Sequence, residues 1–337
     1  MNDDTILDRI DDQHRAVLEA MPTMALAGEY EPDRRAEIID MLAVQRASMQ
    51  QLYAAADVLS DFPDVRCDDH VSTAADGHGV VVRTYRPAES TSATSPGFYY
   101  MHGGGMIMGS VAFSDDYCAR LVRALGIVVA SVEYRLAPEH PYPTPLEDCY
   151  TGLEWFFTNA DHLGVDDANI AIGGGSAGGG LAAGLALLAR DRGHLTPVFQ
   201  LLTFPMIDDR NITPSSHAIT HPKLLWNRER NLLGWNCYLA GGAGGADVPA
   251  YAAPARADDL TGLPPAFVPV GDLDLFLDEN RAYVEALDRA GVTAQLKVYE
   301  GAFHGSQLLV PDSDQAKQWF ADEAEALARG LGLDPPT

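Results

Sequence analysis

Lysine is almost missing from this chain. Lys223, Lys297 and Lys317 are the only three in 337 residues, and 23 basic against 48 acidic side chains leave a formal net charge of −25. That balance excludes a surface built for nucleic acid or for anionic lipid, since both repel it. No run of eighteen apolar residues occurs, so neither a spanning helix nor a membrane partner is expected. The opening residues, Met1-Asn2-Asp3-Asp4, lack the basic-then-apolar order of a secretory leader. Cysteine is sparse as well: Cys67, Cys118, Cys149 and Cys237 lie far apart, with no C-x-x-C pair and no metal-like spacing. Four reduced thiols and a cytoplasmic location are the expectation. No H-E-x-x-H or comparable ligand cluster exists, so neither a metal nor a cofactor is implied.

What is present suffices for a packed core. The chain is 47% hydrophobic and 8% aromatic, which sets it apart from disordered sequences. Its length fits one large domain with insertions or two ordinary ones. Residues 4–20 and 33–55 show apolar positions at helical spacing and no strand signal. In the second, Ile38, Ile39, Leu42 and Val44 form the expected buried face. Strand patterns begin only at 65, so residues 1–60 read as a helical cap attached to a catalytic domain over 61–337.

Residues 65–71 and 80–86 alternate around Asp76-Gly77-His78-Gly79 and predict a hairpin. Denser apolar runs follow at 97–102, 126–134, 170–173, 198–204, 266–271 and 293–299, as buried parallel strands require. Helical patterns at 115–125, 146–159, 177–191, 277–290 and 314–331 alternate with them. The expected fold is therefore α/β, with one mostly parallel eight-stranded sheet covered by helices on both faces. Residues 207–248, with a helical piece over 226–240 and the run Gly241-Gly242-Ala243-Gly244-Gly245, interrupt the alternation. They are read as a second part of the cap, above the strand ends where such sheets bind ligands.

One stretch carries the chemistry. In Gly173-Gly174-Gly175-Ser176-Ala177-Gly178-Gly179-Gly180 an apolar strand passes straight into a helix, and Gly174 and Gly178 flank Ser176 with the spacing G-x-S-x-G. A turn that sharp forces a strained backbone at the serine, lifts its Oγ clear and aims the Ala177 N–H at the same space. A serine needs a base, and the base needs an orienting acid. Of the histidines downstream, only His304 directly follows a strand, in Tyr299-Glu-Gly-Ala-Phe-His-Gly-Ser306. The acid comes from Gly271-Asp272-Leu273-Asp274-Leu275, where Asp274 at the loop apex is preferred over Asp272 and both remain open. Asp278 and Glu279 read as first-turn residues of the next helix. Met101-His102-Gly103-Gly104-Gly105-Met106 follows an earlier strand, where further backbone donors for an oxyanion belong. His102 reads as an anchor for that turn.

These motifs together resemble the hormone-sensitive-lipase-like bacterial esterases of the α/β-hydrolase superfamily, over about residues 80–330. The likeness rests on His102-Gly103-Gly104-Gly105, Tyr134-Arg135-Leu136-Ala137-Pro138-Glu139, Gly174-Gly175-Ser176-Ala177-Gly178-Gly179, the acid loop and Gly301-Ala302-Phe303-His304-Gly305. The resemblance implies Asp274 rather than Asp272 as the acid, and Gly104, Gly105 and Ala177 as oxyanion donors. It also implies a small ester as substrate and leaves a homodimer open. Two positions depart from the family pattern. Gly175 stands where Asp, Glu or Thr is usual, and Leu275 where proline is usual.

Met106 and Met108 after the oxyanion turn, Met21, Met24 and Tyr30 from the first cap segment, Trp226 and Trp235 from the second, and Phe276 and Phe303 beside acid and base suit an apolar pocket. Met106, Trp226, Phe276 and Phe303 are the candidate substrate contacts. Phe98-Tyr99-Tyr100 reads as strand core, and Arg135 with Glu139 as a buried structural pair. The expected activity is hydrolysis of short- to medium-chain carboxylic esters by Ser176, His304 and Asp274 through an acyl-enzyme. An amide, formamide or lactone is the alternative substrate. A non-catalytic small-molecule receptor on this scaffold is a third reading, which the presence of His304 disfavours.

Overall fold

The computed structural model describes residues 4–20, 30–89 and 94–335. Helices α1 (Asp4–Leu7), α2 (Asp12–Ala20) and α3 (Arg35–Ala56) precede the first strand. Ile38 and Leu42 of α3 are buried, but Val44 is 68% exposed, so the expected face is corrected. Six residues at 3.6 per turn carry position 44 about 240° from position 38, onto the opposite side.

Strands β1 (Val65–Thr73) and β2 (Gly79–Pro87) form the expected antiparallel hairpin. There follow β3 (Ser95–Met101), α4 (Asp115–Leu125), β4 (Val128–Glu133), α5 (Thr144–Thr158), α6 (Ala160–Leu163) and β5 (Val165–Gly175). The second half holds α7 (Ala177–Arg192), β6 (Gln200–Thr203), α8 (Pro214–Ala218), α9 (Arg228–Tyr238), β7 (Ala266–Leu273), α10 (Leu277–Arg289), β8 (Ala294–Phe303), α11 (Ser306–Leu309) and α12 (Asp314–Gly330). All eight strands join one sheet in the order β1-β2-β4-β3-β5-β6-β7-β8, antiparallel up to β4 and parallel beyond. Strand β6 stops short of the expected 198–204 because Phe204, at φ 35° and followed by Pro205, turns the chain out of the ladder.

The order reverses at β3, which has β4 on one side and β5 on the other. Such a switch point opens a crevice beyond the carboxyl ends of the strands. Met101 pairs with Gly174 there, so the turn leaving β3 and the turn leaving β5 emerge side by side. Both faces are covered. Phe98 and Ala171 join Leu121 of α4 and Leu327 of α12 in one apolar cluster, whereas Tyr99 and Ile172 join Leu153 of α5, Leu185 of α7 and Leu287 of α10 in another. Helix α7 carries three consecutive glycines, each costing about 1 kcal/mol of helix propensity against alanine. Gly178 shows what offsets this: a Cβ there would overlap the Met101 carbonyl, so the helix start lies directly on β3.

Arg135 and Glu139 do not pair with each other. Arg135 reaches Asp148 (Nε to Oδ2, 2.8 Å) and Asp76 (2.6 Å), while Glu139 takes Arg46 Nη1 at 2.6 Å. Pairing at that spacing needs a helix, and the prolines at 138, 141 and 143 keep this segment out of one.

Candidate active site

The strand-to-helix turn is strained at one residue. Ser176 has φ 57° and ψ −120°, outside the regions open to most L-residues. Its backbone is held on both sides: the N–H donates to Thr203 O at 2.9 Å, and the carbonyl accepts from Gly180 N and Met206 N, each at 3.0 Å. Strain of this kind persists only where the surroundings over-determine it. The effect is to lift Oγ out of the sheet toward the loop that follows β8.

His304 lies on that loop. Its Nε2 is 2.9 Å from Ser176 Oγ and its Nδ1 is 2.7 Å from Asp274 Oδ2. With the proton on Nδ1 donated to the carboxylate, Nε2 is left to accept from the serine hydroxyl. All three side chains are buried, Asp274 at 1% exposure and the other two at 7%. The imidazole is held edge-on by Phe204 (ring centroids 4.5 Å apart) and Phe276 (5.1 Å).

Four acids lie between the end of β7 and the first turn of α10, and each has its own partner. Asp274 Oδ1 accepts the Phe276 N–H at 2.9 Å, which leaves Oδ2 for His304. Asp272 takes the Gly301 N–H and Arg9 Nη2, both at 2.7 Å, and so ties the acid loop to the histidine loop. Asp278 accepts Ser215 N at 2.8 Å, and Glu279 accepts Ile207 N at 2.9 Å. Burial pushes the Glu279 carboxyl well above its ordinary range. Only Asp274 reaches the imidazole. Leu275, where proline was expected, is fully buried, and its carbonyl accepts Ser215 Oγ at 2.9 Å.

The turn after β3 contributes backbone alone. Gly104 and Gly105 have φ 120° and 63°, and a Cβ on either would overlap neighbours, Met108 O for the first and the Trp226 indole for the second. Among the described residues, none accepts the N–H of Gly104, Gly105 or Ala177. Beneath them His102 is fully buried, stacked on Tyr134 at 4.1 Å, with Nδ1 2.8 Å from Gly103 O. Burial lowers its pKa to about 4, so the ring is neutral and acts as an anchor.

Of the expected pocket residues, Trp226 packs on Gly105 and donates from Nε1 to Asn231 Oδ1 at 3.1 Å. Phe276 faces His304, and Met106 lies beside Gly180. Phe303 is turned toward His14 of α2, and Trp235 toward Tyr238. Tyr30 packs near Gly241, while Met21 and Met24 lie outside the described residues. Phe98 and Tyr99 are fully buried in the sheet, as strand core should be. The Arg9 tie and the Asn211–Asn231–Trp226 chain had no sequence signal. Among the described residues no group of three or more His, Cys, Asp or Glu is arranged to hold a metal, and no helix is long and apolar enough to cross a membrane.

Comparison with known proteins gives the family. A family model described as alpha/beta hydrolase fold matches residues 98–308. The carboxylesterase NlhH of Mycobacterium tuberculosis is 36% identical over 303 residues, 87% of this chain and 88% of its own. Among solved structures, a bacterial heroin esterase superposes with a TM-score of 0.85 at 36% identity, covering 96% of this chain and 99% of that one. The esterase LipW from Mycobacterium marinum gives 0.83 at 36% identity, with 96% of each chain covered. The chain belongs to the α/β-hydrolase family. Within it, the chain falls in the hormone-sensitive-lipase-like group to which these carboxylesterases are similar.

Proposed function

We propose that this carboxylic ester hydrolase is a serine esterase in which Ser176 is the nucleophile, His304 the general base and acid, and Asp274 the group that orients the imidazole. Ser176 Oγ attacks the ester carbonyl while Nε2 of His304 takes its proton, and the imidazolium so formed rests against Asp274. The carbonyl oxygen becomes an oxyanion between the N–H groups of Gly104, Gly105 and Ala177, each such donor lowering the barrier by about 3 kcal/mol. His304 then returns the proton to the departing alcohol, and a water activated by the same nitrogen clears the acyl-enzyme. One observation carries the reading: the buried relay of 2.9 Å and 2.7 Å from Ser176 through His304 to Asp274.

The described parts of residues 1–60, together with 207–248, form the two parts of a cap over this site. Support comes from Trp226 lying on the oxyanion turn, from Asp11 N donating to Gly301 O at 3.2 Å, and from Lys223 Nζ donating to Glu19 O at 2.8 Å between the two parts. Trp226 against the oxyanion turn and Phe276 against the imidazole give the site an apolar surround, which suits short- to medium-chain esters. Four free thiols, three of them buried, accord with a reducing cytoplasm.

The test uses p-nitrophenyl acetate, butyrate and decanoate, followed by an organophosphate and location of the adduct by mass spectrometry. Turnover should be highest on the two shorter esters, with the adduct on Ser176. Absence of turnover, or an adduct elsewhere, would sink the assignment. Anilide or lactone turnover exceeding that of the esters would move the substrate class instead.

A further inference from the structure

Behind the elbow lies a buried carboxylate that the mechanism above leaves idle. Glu323, on the inner face of α12 and 3% exposed, collects three donors. Thr203 Oγ1 and Trp319 Nε1 (3.0 Å) donate to its Oε1, and the Tyr117 hydroxyl (3.1 Å) to its Oε2. Thr203 is the last residue of β6 and the register partner of Gly175, and its carbonyl holds the Ser176 N–H at 2.9 Å. The next residue, Phe204, packs its ring between Trp319 (5.7 Å) and the His304 imidazole (4.5 Å). A single carboxylate thus fixes two adjacent residues, one holding the nucleophile's backbone and the other bracing the base.

The space it serves is the one residue 175 leaves open. A Cβ on Gly175 would stand 3.3 Å from the Tyr100 hydroxyl and 3.8 Å from the Phe204 ring. The Tyr100 ring in turn packs on Tyr117 at 5.2 Å. No side chain from the elbow enters this region; the Tyr100 hydroxyl there bonds the Gly175 backbone and Ser114, and the carboxylate comes from α12. Stability alone does not account for the choice, because an apolar residue of similar volume avoids the desolvation cost of a buried carboxylate.

We propose that Glu323 is a positioning residue for catalysis, acting through Thr203 and Phe204 to hold the strained Ser176 elbow and the His304 ring in their reactive arrangement. This rests on Ser176 being the nucleophile. Burial raises the Glu323 carboxyl to about 7, against the lowering influence of its bonds to Thr203, Trp319 and Tyr117. The other titratable or charged groups around it are Tyr100, Tyr117 and Arg120 from the β3 and α4 side, Asp322 on its own helix, and Tyr299 and Lys297 of β8, both bonded to Asp322.

The experiment compares Glu323→Gln, Glu323→Asp, Thr203→Val and, as a control in the same helix, Leu327→Ala, on p-nitrophenyl butyrate across pH 5 to 9. Melting temperature is recorded for each. Leu327 is fully buried on α12 one turn beyond Glu323, in the apolar cluster against which Tyr100 and Tyr117 pack, and its side chain makes no hydrogen bond to the carboxylate, so Leu327→Ala loosens the same packing without removing a polar contact. Glu323→Gln and Thr203→Val should lower kcat about ten- to a hundredfold, the scale of a misplaced reacting group, with KM within twofold. Glu323→Asp should recover part of the loss. The acid limb of log kcat/KM should be steeper than one proton in the parent and fall to one in Glu323→Gln. Equal loss of kcat in Leu327→Ala at equal loss of melting temperature would overturn the proposal. So would a Glu323→Gln variant with parental kcat and an unchanged limb. Organophosphate labelling of the parent at Ser176 separates these outcomes from failure of the nucleophile assignment itself.

Discussion

In the proposed mechanism the turn after β3 and the loop after β7 both serve the same serine and histidine, yet they are built from opposite materials. The first works by having no side chains: Gly104 and Gly105 occupy conformations and spaces that a Cβ would spoil, and they offer only N–H groups. The second works through one side chain chosen from four acids within eight residues, Asp272, Asp274, Asp278 and Glu279, each bonded to a different partner. The first should therefore fail by crowding and the second by loss of charge. Substitutions that separate volume from charge test that difference.

The largest effect is expected where charge alone is removed from the reacting group's partner. Asp274→Asn keeps the volume but presents the wrong hydrogen-bonding pattern to Nδ1 of His304. A fall in kcat of about ten-thousandfold is expected, with an unchanged circular dichroism spectrum. Stopped-flow or steady-state assay on p-nitrophenyl acetate measures it; a loss below about a hundredfold would return Asp274 to the status of a structural residue.

Next comes the smallest possible addition of volume. Gly105→Ala places a methyl group where the Trp226 indole already lies and strains a backbone at φ 63°. The displaced N–H should cost about a hundred- to a thousandfold in kcat. Adding Trp226→Ala to the same chain relieves the crowding and leaves the backbone strain. The double variant should therefore regain part of the activity, and failure to regain any would show that conformation rather than space dominates at this turn.

How far these parts were legible in the sequence follows from the same contrast. A function carried by backbone leaves a visible trace, since glycines at 103–105 and 173–175 have few other uses beside a strand end. A function carried by one of several identical carboxylates leaves little. Asp272 is the penultimate residue of β7 and Asp274 the first residue after it, so spacing separates them weakly and the family resemblance is what distinguishes them. The alternation of strands and helices placed the sheet because its strands are buried on both faces and keep their apolar density. Val44 is close in sequence to the buried Ile38 and Leu42, but the helical angle carries it to the other side of α3, which apolar content alone does not reveal. Arg135 and Glu139 have the spacing of a helical pair, but they stand in a proline-containing segment that is not helical and so turn to different partners. Glu323 did carry a signal. It lies four residues after Trp319 and four before Leu327, on the apolar side of α12, where a carboxylate is out of place.

A third test concerns the anchor beneath the glycine turn. His102 is held neutral by burial, with its pKa lowered to about 4 from the ordinary 6.5 of an imidazole. Between these two values the unfolded chain binds a proton that the folded one refuses, so stability present at neutral pH is lost as pH falls from about 6.5 to 4. The loss amounts to about 3 kcal/mol. His102→Asn has no such proton to refuse. The stability gap between parent and variant, measured by urea unfolding at pH 7, 5.5 and 4, should narrow by about that amount toward acid. A gap independent of pH would mean that the folded protein does not hinder protonation of the ring.

The smallest effect is expected two residues from the largest. Asp272→Asn changes charge as Asp274→Asn does, but its carboxylate faces Gly301 N–H and Arg9 rather than the imidazole. The amide oxygen still accepts from Gly301, so the link between the acid and histidine loops survives. What is lost is the ion pair to Arg9, whose side chain is 45% exposed, and exposed pairs contribute at most about 1 kcal/mol. A change in kcat of less than about tenfold is therefore expected, with little change in melting temperature. Asp272→Ala removes the acceptor as well and should cost more than Asp272→Asn while remaining far above Asp274→Asn in activity. If Asp272→Asn instead matched Asp274→Asn, the two carboxylates would be acting as one unit. The loop would then owe its function to the tie between its strands as much as to the acid that touches His304.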